Sequence, residues 1–377
     1  MTEPEVVLEE ASPHGNLEAI IEQDDRVAHL YLRSPEYEDF GLKTCWIRNL
    51  TKAPDTLDVE GMRRGIPPML PKEFCMHPQG REKLNPDRLR IVWFPEGDGV
   101  ALLEDDEMLA AIPSWSGFKG FSGYARDCTG QSSLCWRLDD LNEFNARISA
   151  AERFWRQWDG DASPWPACQD TFMAAYEAVL GPHSRYFAID GGYWPPKALV
   201  RFDLPDCTYL LTMGISLRPQ PAVEMYYEDP VDFRRFEFAA CLSREVKDGT
   251  ISSLASYLSG QSTLPWHQFT FFAHGHTIRC EAFAGDDSLR GFTSVLLINC
   301  PASAPELNPP RIDGERVSLL WTIPITSEEQ KLAERDGSRT IIDHFPRSSP
   351  LHMIGRRTPI TAQQDGGGQP ATRPDST

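Results

Sequence analysis

Val317-Ser318-Leu319-Leu320-Trp321-Thr322-Ile323-Pro324-Ile325-Thr326-Ser327-Glu328-Glu329 reads as a strand handing over to a helix. Residues 317–322 are apolar, aromatic and β-branched, the composition of a buried strand. Pro324 lacks an N–H and is expected to block continuation of that strand. Ser327 can cap the helix that follows, and Glu328 and Glu329 suit its positive N-terminus. The helix is expected over 327–345.

Upstream, further strands are expected at 198–202, 209–215, 222–227, 236–242, 277–283 and 293–299, with a helix at 251–259. Cys168, Phe172, Ala175, Tyr176 and Val179 form a helical stripe that stops at Gly181-Pro182. Seven strands and three helices point to an α+β domain, its mostly antiparallel sheet covered on one face by helices. The first 138 residues read as a smaller β-rich domain. Segments 18–23 and 26–32 flank the turn pair Asp24-Asp25 as a hairpin. Other strands are expected at 44–48, 89–94, 99–103 and 108–112, with a packed irregular stretch over 52–88. Leu141, Phe144, Ile148, Ala151, Trp155 and Trp158 share one helical face, with Asp140 and Glu143 as the start signal and Gly160 as the stop. The expected organisation is therefore a β-rich domain over 1–138, a connecting helix and linker over 139–164, an α+β domain over 165–354 and a disordered tail over 355–377. In that tail Ile360 is the one large apolar residue.

Of the 377 residues, 55 are acidic and 37 basic, a net charge of −18. Such a balance argues against nucleic acid and against an anionic membrane surface, since both bind by neutralised phosphate. It would draw a basic protein partner. No stretch reaches the ~18 apolar residues of a membrane span. The start, Met1-Thr2-Glu3-Pro4-Glu5, has no signal-peptide core. The nine cysteines are scattered without a Cys-x-x-Cys pair, as expected of free thiols in a reducing cytoplasm.

Phosphate-cradling loops, the H-E-x-x-H motif, the EF-hand and the nucleophile elbow are all absent from the sequence. No catalytic residue and no cofactor is expected. His274-Gly275-His276 is the one metal-like feature. An extended backbone would point both rings to one side, but a third ligand is needed, and His267 is only near in sequence. In Val223-Glu224-Met225-Tyr226-Tyr227-Glu228, alternation would place Glu224, Tyr226 and Glu228 on one strand face. Tyr226, Tyr227, Glu228 and Trp266 are the candidate partner-binding residues, on an acidic and aromatic docking surface.

Five fragments of the second half, in order, resemble the Suppressor of fused domain family over about 165–345. They are Thr212-Met213-Gly214-Ile215-Ser216, Phe236-Glu237-Phe238, Leu254-Ala255-Ser256-Tyr257, Gly275-His276-Thr277 and the 317–329 stretch. The first half is similar to a region that precedes the domain in bacterial members. Its pieces are Cys45-Trp46-Ile47-Arg48-Asn49-Leu50, Ile91-Val92-Trp93-Phe94-Pro95-Glu96-Gly97 and Gly123-Tyr124-Ala125-Arg126-Asp127-Cys128. The resemblance implies binding rather than turnover. The animal member holds a transcription factor by adding its peptide as a β-strand, and bacterial members are proposed as immunity proteins against polymorphic toxins. The expectation is a cytoplasmic, non-enzymatic protein that sequesters a protein partner, a basic toxin domain among the possibilities. The alternatives are a metal-dependent enzyme using His274 and His276, or a scaffold with no toxin partner. The oligomeric state is left open.

Overall fold

The computed structural model describes residues 4–13, 16–159, 163–345 and 350–360. The chain divides into two compact units, and the division is not a single cut. The first unit comprises 1–164 together with 219–230 and 264–271, and the second comprises the remainder.

In the first unit, β1 (Glu5–Ala11), β2 (Glu18–Gln23), β3 (Val27–Arg33) and β4 (Leu42–Asn49) form an antiparallel sheet in that order. The expected hairpin is β2–β3. Asp24 closes it by accepting the N–H groups of Arg26 (2.6 Å) and Val27 (2.8 Å). Strand β1 was not expected from the sequence. The short helix α1 (Val59–Arg63) lies in the irregular stretch. A second sheet runs β5 (Leu89–Trp93), β6 (Val100–Glu104), β7 (Glu107–Ile112), β8 (Tyr124–Ala125), β9 (Trp136–Arg137). Helix α2 (Leu141–Arg156) starts where Asp140 accepts the Glu143 N–H (2.9 Å) and ends with Gln157 as its C-cap, while Gly160 lies outside the described residues. Its Phe144, Ile148 and Ala151 recur at helical spacing and pack with Val92, Phe94, Leu103 and Met108. The helix is thus part of the first unit's core.

The second unit begins with α3 (Trp165–Leu180). Its sheet is built from β10 (Arg185–Ala188), β11 (Ala198–Asp203), β12 (Cys207–Met213), β13 (Phe236–Ser243), β14 (Thr277–Arg279), β15 (Phe292–Asn299), β16 (Ser318–Thr326) and β17 (Met353–Ile354). The order is β10-β11-β12-β13-β16-β15-β14, with β17 beside β13. Pairing is antiparallel except at β13–β16 and β13–β17. The helices are α4 (Asp248–Gln261), α6 (Ser327–Asp336) and α7 (Ser338–His344), with α5 (Leu264–Gln268) belonging to the first unit. Alternate residues Val200, Phe202, Tyr209, Leu211, Trp321 and Ile323 pack with Phe172 and Tyr176 of α3, Ala333 of α6 and Ile341 of α7. The opposite face meets α4, where Ile251 and Ala255 line one groove with Leu199 and Leu210. Both faces are therefore covered, which is why β12 and β16 are buried at every position rather than at every second one.

Five local expectations need correction. Pro324 does not end its strand, since β16 continues to Thr326. Beyond Trp321 it pairs, among the described residues, only with β15, and the Pro324 carbonyl turns to the other side and accepts from Arg357 Nη2 (2.7 Å). The missing N–H faces that same side, so no ladder bond is lost. The helix over 327–345 is two helices, broken at Gly337, whose φ is +86°. Its cap is Thr326, which accepts the Glu329 N–H (3.2 Å) while Glu329 Oε2 accepts the Thr326 N–H (2.8 Å). Strand β14 stops at Arg279. The stretch read as a tail is packed through Ile360, which is 3% exposed and donates its N–H to Glu329 (2.8 Å), while 361–377 lie outside the described residues. No helix among the described residues is long and apolar enough to cross a membrane.

Candidate partner-binding site

The strand expected over 222–227 does not form within the segment 219–230. Pro219 and Pro221 interrupt it, Ala222 sits at φ +61°, and 223–225 form a short 3-10 turn. Two contacts fix this shape. Buried Asp98 accepts the Ala222 N–H (2.7 Å) and the Ser114 hydroxyl (2.5 Å). Arg147 of α2 makes two parallel bonds to Glu224, each 2.9 Å, and lies 3.5 Å from Glu96. Burial pushes the Glu224 carboxyl up, against the pull of Arg147, and burial likewise raises Asp98. The Arg147 guanidinium lies over the Phe94 and Trp115 rings.

The predicted alternation of faces therefore fails, yet two of the four candidate residues meet one ring. Tyr226, 66% exposed, and half-buried Tyr227 both meet the Phe271 ring, at centroid distances of 5.3 and 5.8 Å. Trp266 is buried. Its indole N–H donates to the Pro219 carbonyl (3.0 Å), and its own carbonyl accepts from Asn16 Nδ2 (2.9 Å). It braces the two returning segments against each other. Glu228 faces solvent.

The second unit offers a surface that the sequence reading missed. Strand β10 ends the sheet, pairs only with β11 among the described residues, and is exposed at all four positions, including Tyr186 and Phe187. Beside it runs a groove of about 410 Å³ lined by Phe187, Ile189, Leu199, Leu210, Ile251 and Ala255. Arg201 at the rim is held by Asp203 (2.7 Å) and Asp248 (3.2 Å), and Arg185 stands opposite it in register. An open edge with an apolar groove alongside is the geometry that receives an extended peptide. Its sequence signal was weak, because four residues are too few to show a period.

His274 Nδ1 accepts the Asn299 N–H (3.2 Å), and burial lowers its pKa. His267 belongs to the first unit. Among the described residues no three His, Cys, Asp or Glu side chains are grouped to hold a metal ion.

The five sequence fragments have fold-making roles. Glu237, fully buried, accepts from Ser216 N (2.9 Å), Ser216 Oγ (2.6 Å) and Thr212 Oγ1 (2.8 Å), so the second fragment pins the turn of the first. Burial raises its carboxyl to about 7 against these bonds. Gly214 has φ +96°, and a Cβ there would lie 2.4 Å from the Pro196 carbonyl oxygen. In the helix fragment Leu254 is fully buried, and the Tyr257 hydroxyl donates to the Arg279 carbonyl (3.0 Å). A Cβ on Gly275 would meet Ser338 Oγ at 2.6 Å.

Comparison with known proteins agrees with this grouping. The family model described as Suppressor of fused protein (SUFU) matches residues 194–356. No curated protein matches the chain. Among solved structures, a chain of the Sufu–Fu complex is similar at 14% identity and a TM-score of 0.38, over 53% of this chain and 93% of that one. Drosophila Suppressor of Fused is similar at 12% identity and a TM-score of 0.39, over 52% of each. The present chain thus spans about half the length of the Drosophila structure. Over residues 194–356, where the buried Glu237, the Gly214 turn and the Thr326 capping box all lie, the chain carries a Suppressor of fused domain.

Proposed function

We propose that this protein is a non-catalytic module that binds and sequesters a protein partner in the cytoplasm of a bacterium, as the immunity protein of a polymorphic toxin. The observation that carries the binding role is the Suppressor of fused match over 194–356, a domain type that works by holding a protein. Strand β10 and its groove supply the place for an extended segment of the partner. Tyr226, Tyr227 and Glu228 add an aromatic and acidic contact, with Trp266 bracing them. The −18 charge favours a basic partner and steers its approach.

The test is co-purification from the producing organism at low salt, run in parallel with a Phe187→Asp variant. A basic toxin-domain protein retained at one-to-one stoichiometry by the natural chain and lost by the variant is the expected result. Retention of an acidic protein, or equal retention by both chains, overturns this reading. With partner in hand, the association rate should fall at least several-fold between 10 and 150 mM salt. A salt-independent rate removes the steering role of the charge.

A further inference from the structure

Four of the nine cysteines, at 45, 75, 128 and 135, share the hydrophobic core of the first unit, although their sequence spacing shows no pattern. None is in a disulfide. Cys75 and Cys128 face each other across an isolated antiparallel bridge. The bonds flanking them run from Met76 N to the Asp127 carbonyl (2.9 Å) and from Thr129 N to the Phe74 carbonyl (2.8 Å). That pattern makes 75 and 128 a non-hydrogen-bonded pair, the closer of the two antiparallel pairings, with Cα atoms about 4.5 Å apart. Disulfides span Cα separations of roughly 4.4–6.8 Å. A pair in this register falls within that range.

The two thiols are unlike. Cys128 Sγ lies 3.3 Å from the Gly130 carbonyl and 3.7 Å from that of Cys135. The neighbouring Cys135 thiol, with backbone groups at 129 and 130, brings Cys128 down to about 7 in spite of burial. Burial instead raises Cys75, whose sulfur accepts from Asn49 Nδ2 (3.6 Å). Cys75 is also the more open of the two, at 7% exposure against 1%. Cys45 and Cys135 are fully enclosed, and burial pushes both thiols up. Cys128 is thus the thiol of the cluster whose pKa is lowered, and the one opposite it lies nearest solvent.

We infer that Cys75 and Cys128 form a reversible redox pair, closed to a disulfide by a peroxide. The Cys128 thiolate attacks one peroxide oxygen. The O–O bond breaks, leaving a sulfenic acid and a hydroxide that takes up a proton. The Cys75 sulfur then attacks the sulfenic sulfur, the S–O bond breaks, its proton leaves with the departing hydroxide as water, and the S–S bond forms. The two thiols give up two electrons, and one hydrogen peroxide becomes two waters. The product ties the irregular 50–88 stretch to the 126–136 turn.

The test treats the full reduced chain with a small excess of hydrogen peroxide under native conditions, followed by thiol counting and peptide mapping without reductant. The expected result is a fall from nine free thiols to seven, with one cross-linked species joining the peptides that hold 75 and 128. Dithiothreitol should restore all nine. The cross-linking rate should rise with pH around a midpoint near 7. Cys75→Ser should abolish the species, whereas Cys300→Ser, on an exposed residue outside the cluster, should leave it unchanged. Because the rate profile and mapping use the unaltered chain, a misfolded variant does not blunt the test. A 128–135 linkage, oxidation confined to Cys300 and Cys168, or a midpoint at 8.5 or above overturns the inference.

Discussion

Two carboxylates of the second unit, Glu237 and Glu329, are both fully buried and both fasten a turn at the end of a strand. Glu237 accepts hydrogen bonds from two hydroxyls and backbone N–H groups, all neutral among the described residues, and burial carries its carboxyl up to about 7. Burial would raise Glu329 too, but two bonds from Arg357, 2.7 and 2.6 Å, and the N–H groups of Ile360 and Thr326 bring it below the ordinary range. Hydrogen bonds alone can seat a buried carboxyl. At Glu329 the cation of residue 357 adds its charge to those bonds and holds the buried carboxyl ionised.

The sharpest break in this comparison is to remove the cation with its surroundings. A chain ending at Ile354 loses Arg357 and buried Ile360 together, whereas one ending at Ile360 keeps both. Denaturant unfolding should show a loss of about 5 kcal/mol or more for the shorter chain relative to the longer. Equal stability would mean that 355–360 contribute nothing. Arg357→Met, which keeps the packing and strands the carboxylate, should cost roughly 3–5 kcal/mol at pH 7. That loss should shrink in acid as Glu329 protonates.

The two carboxyls also bend the stability–pH curve in opposite directions. Glu237 binds its proton more tightly folded than unfolded, so its contribution is present below the unfolded pKa and is lost as pH rises from about 4.5 through 7. The integrated effect is roughly 3 kcal/mol. Glu329 has the opposite sign, with its contribution present above the unfolded pKa and lost as pH falls through the lowered folded value. Glu237→Gln should therefore remove the decline between pH 5 and 7 seen in urea unfolding while leaving the acid-side loss intact. An unchanged slope would mean that Glu237 stays charged. The smallest effect tests the cap. Thr326→Ala should cost about 1 kcal/mol in the same assay, and Ser327→Ala close to nothing.

These carboxyls also mark what a sequence discloses. The fragments around Gly214 and Gly275 were legible because each is a local constraint, a positive φ with a close approach, and the Glu237 fragment because it resembles a family strand. Their joining was not, because the partners of Glu237 lie 21 and 25 residues away. Pro324 misled because its usual effect assumes a ladder on both sides, and β16, among the described residues, has none on one side there. The alternation over 222–227 has the period of a strand, but Asp98 and Arg147, 124 and 77 residues distant, hold the segment in another shape. Ile360 looked too isolated to order its neighbours, yet one apolar residue beside one arginine found a core already built.

The returning segments 219–230 and 264–271 have a consequence for synthesis. Residue 164 leaves the ribosome 107 residues ahead of residue 271, a delay on the order of ten seconds at ordinary elongation rates. For more than half of that interval Arg147 has no Glu224 to face, and Phe271 is made only at its end. A nascent chain of this protein passes through a long stage with its first unit unfinished, a stage in which a chaperone can act and a premature stop codon does its damage.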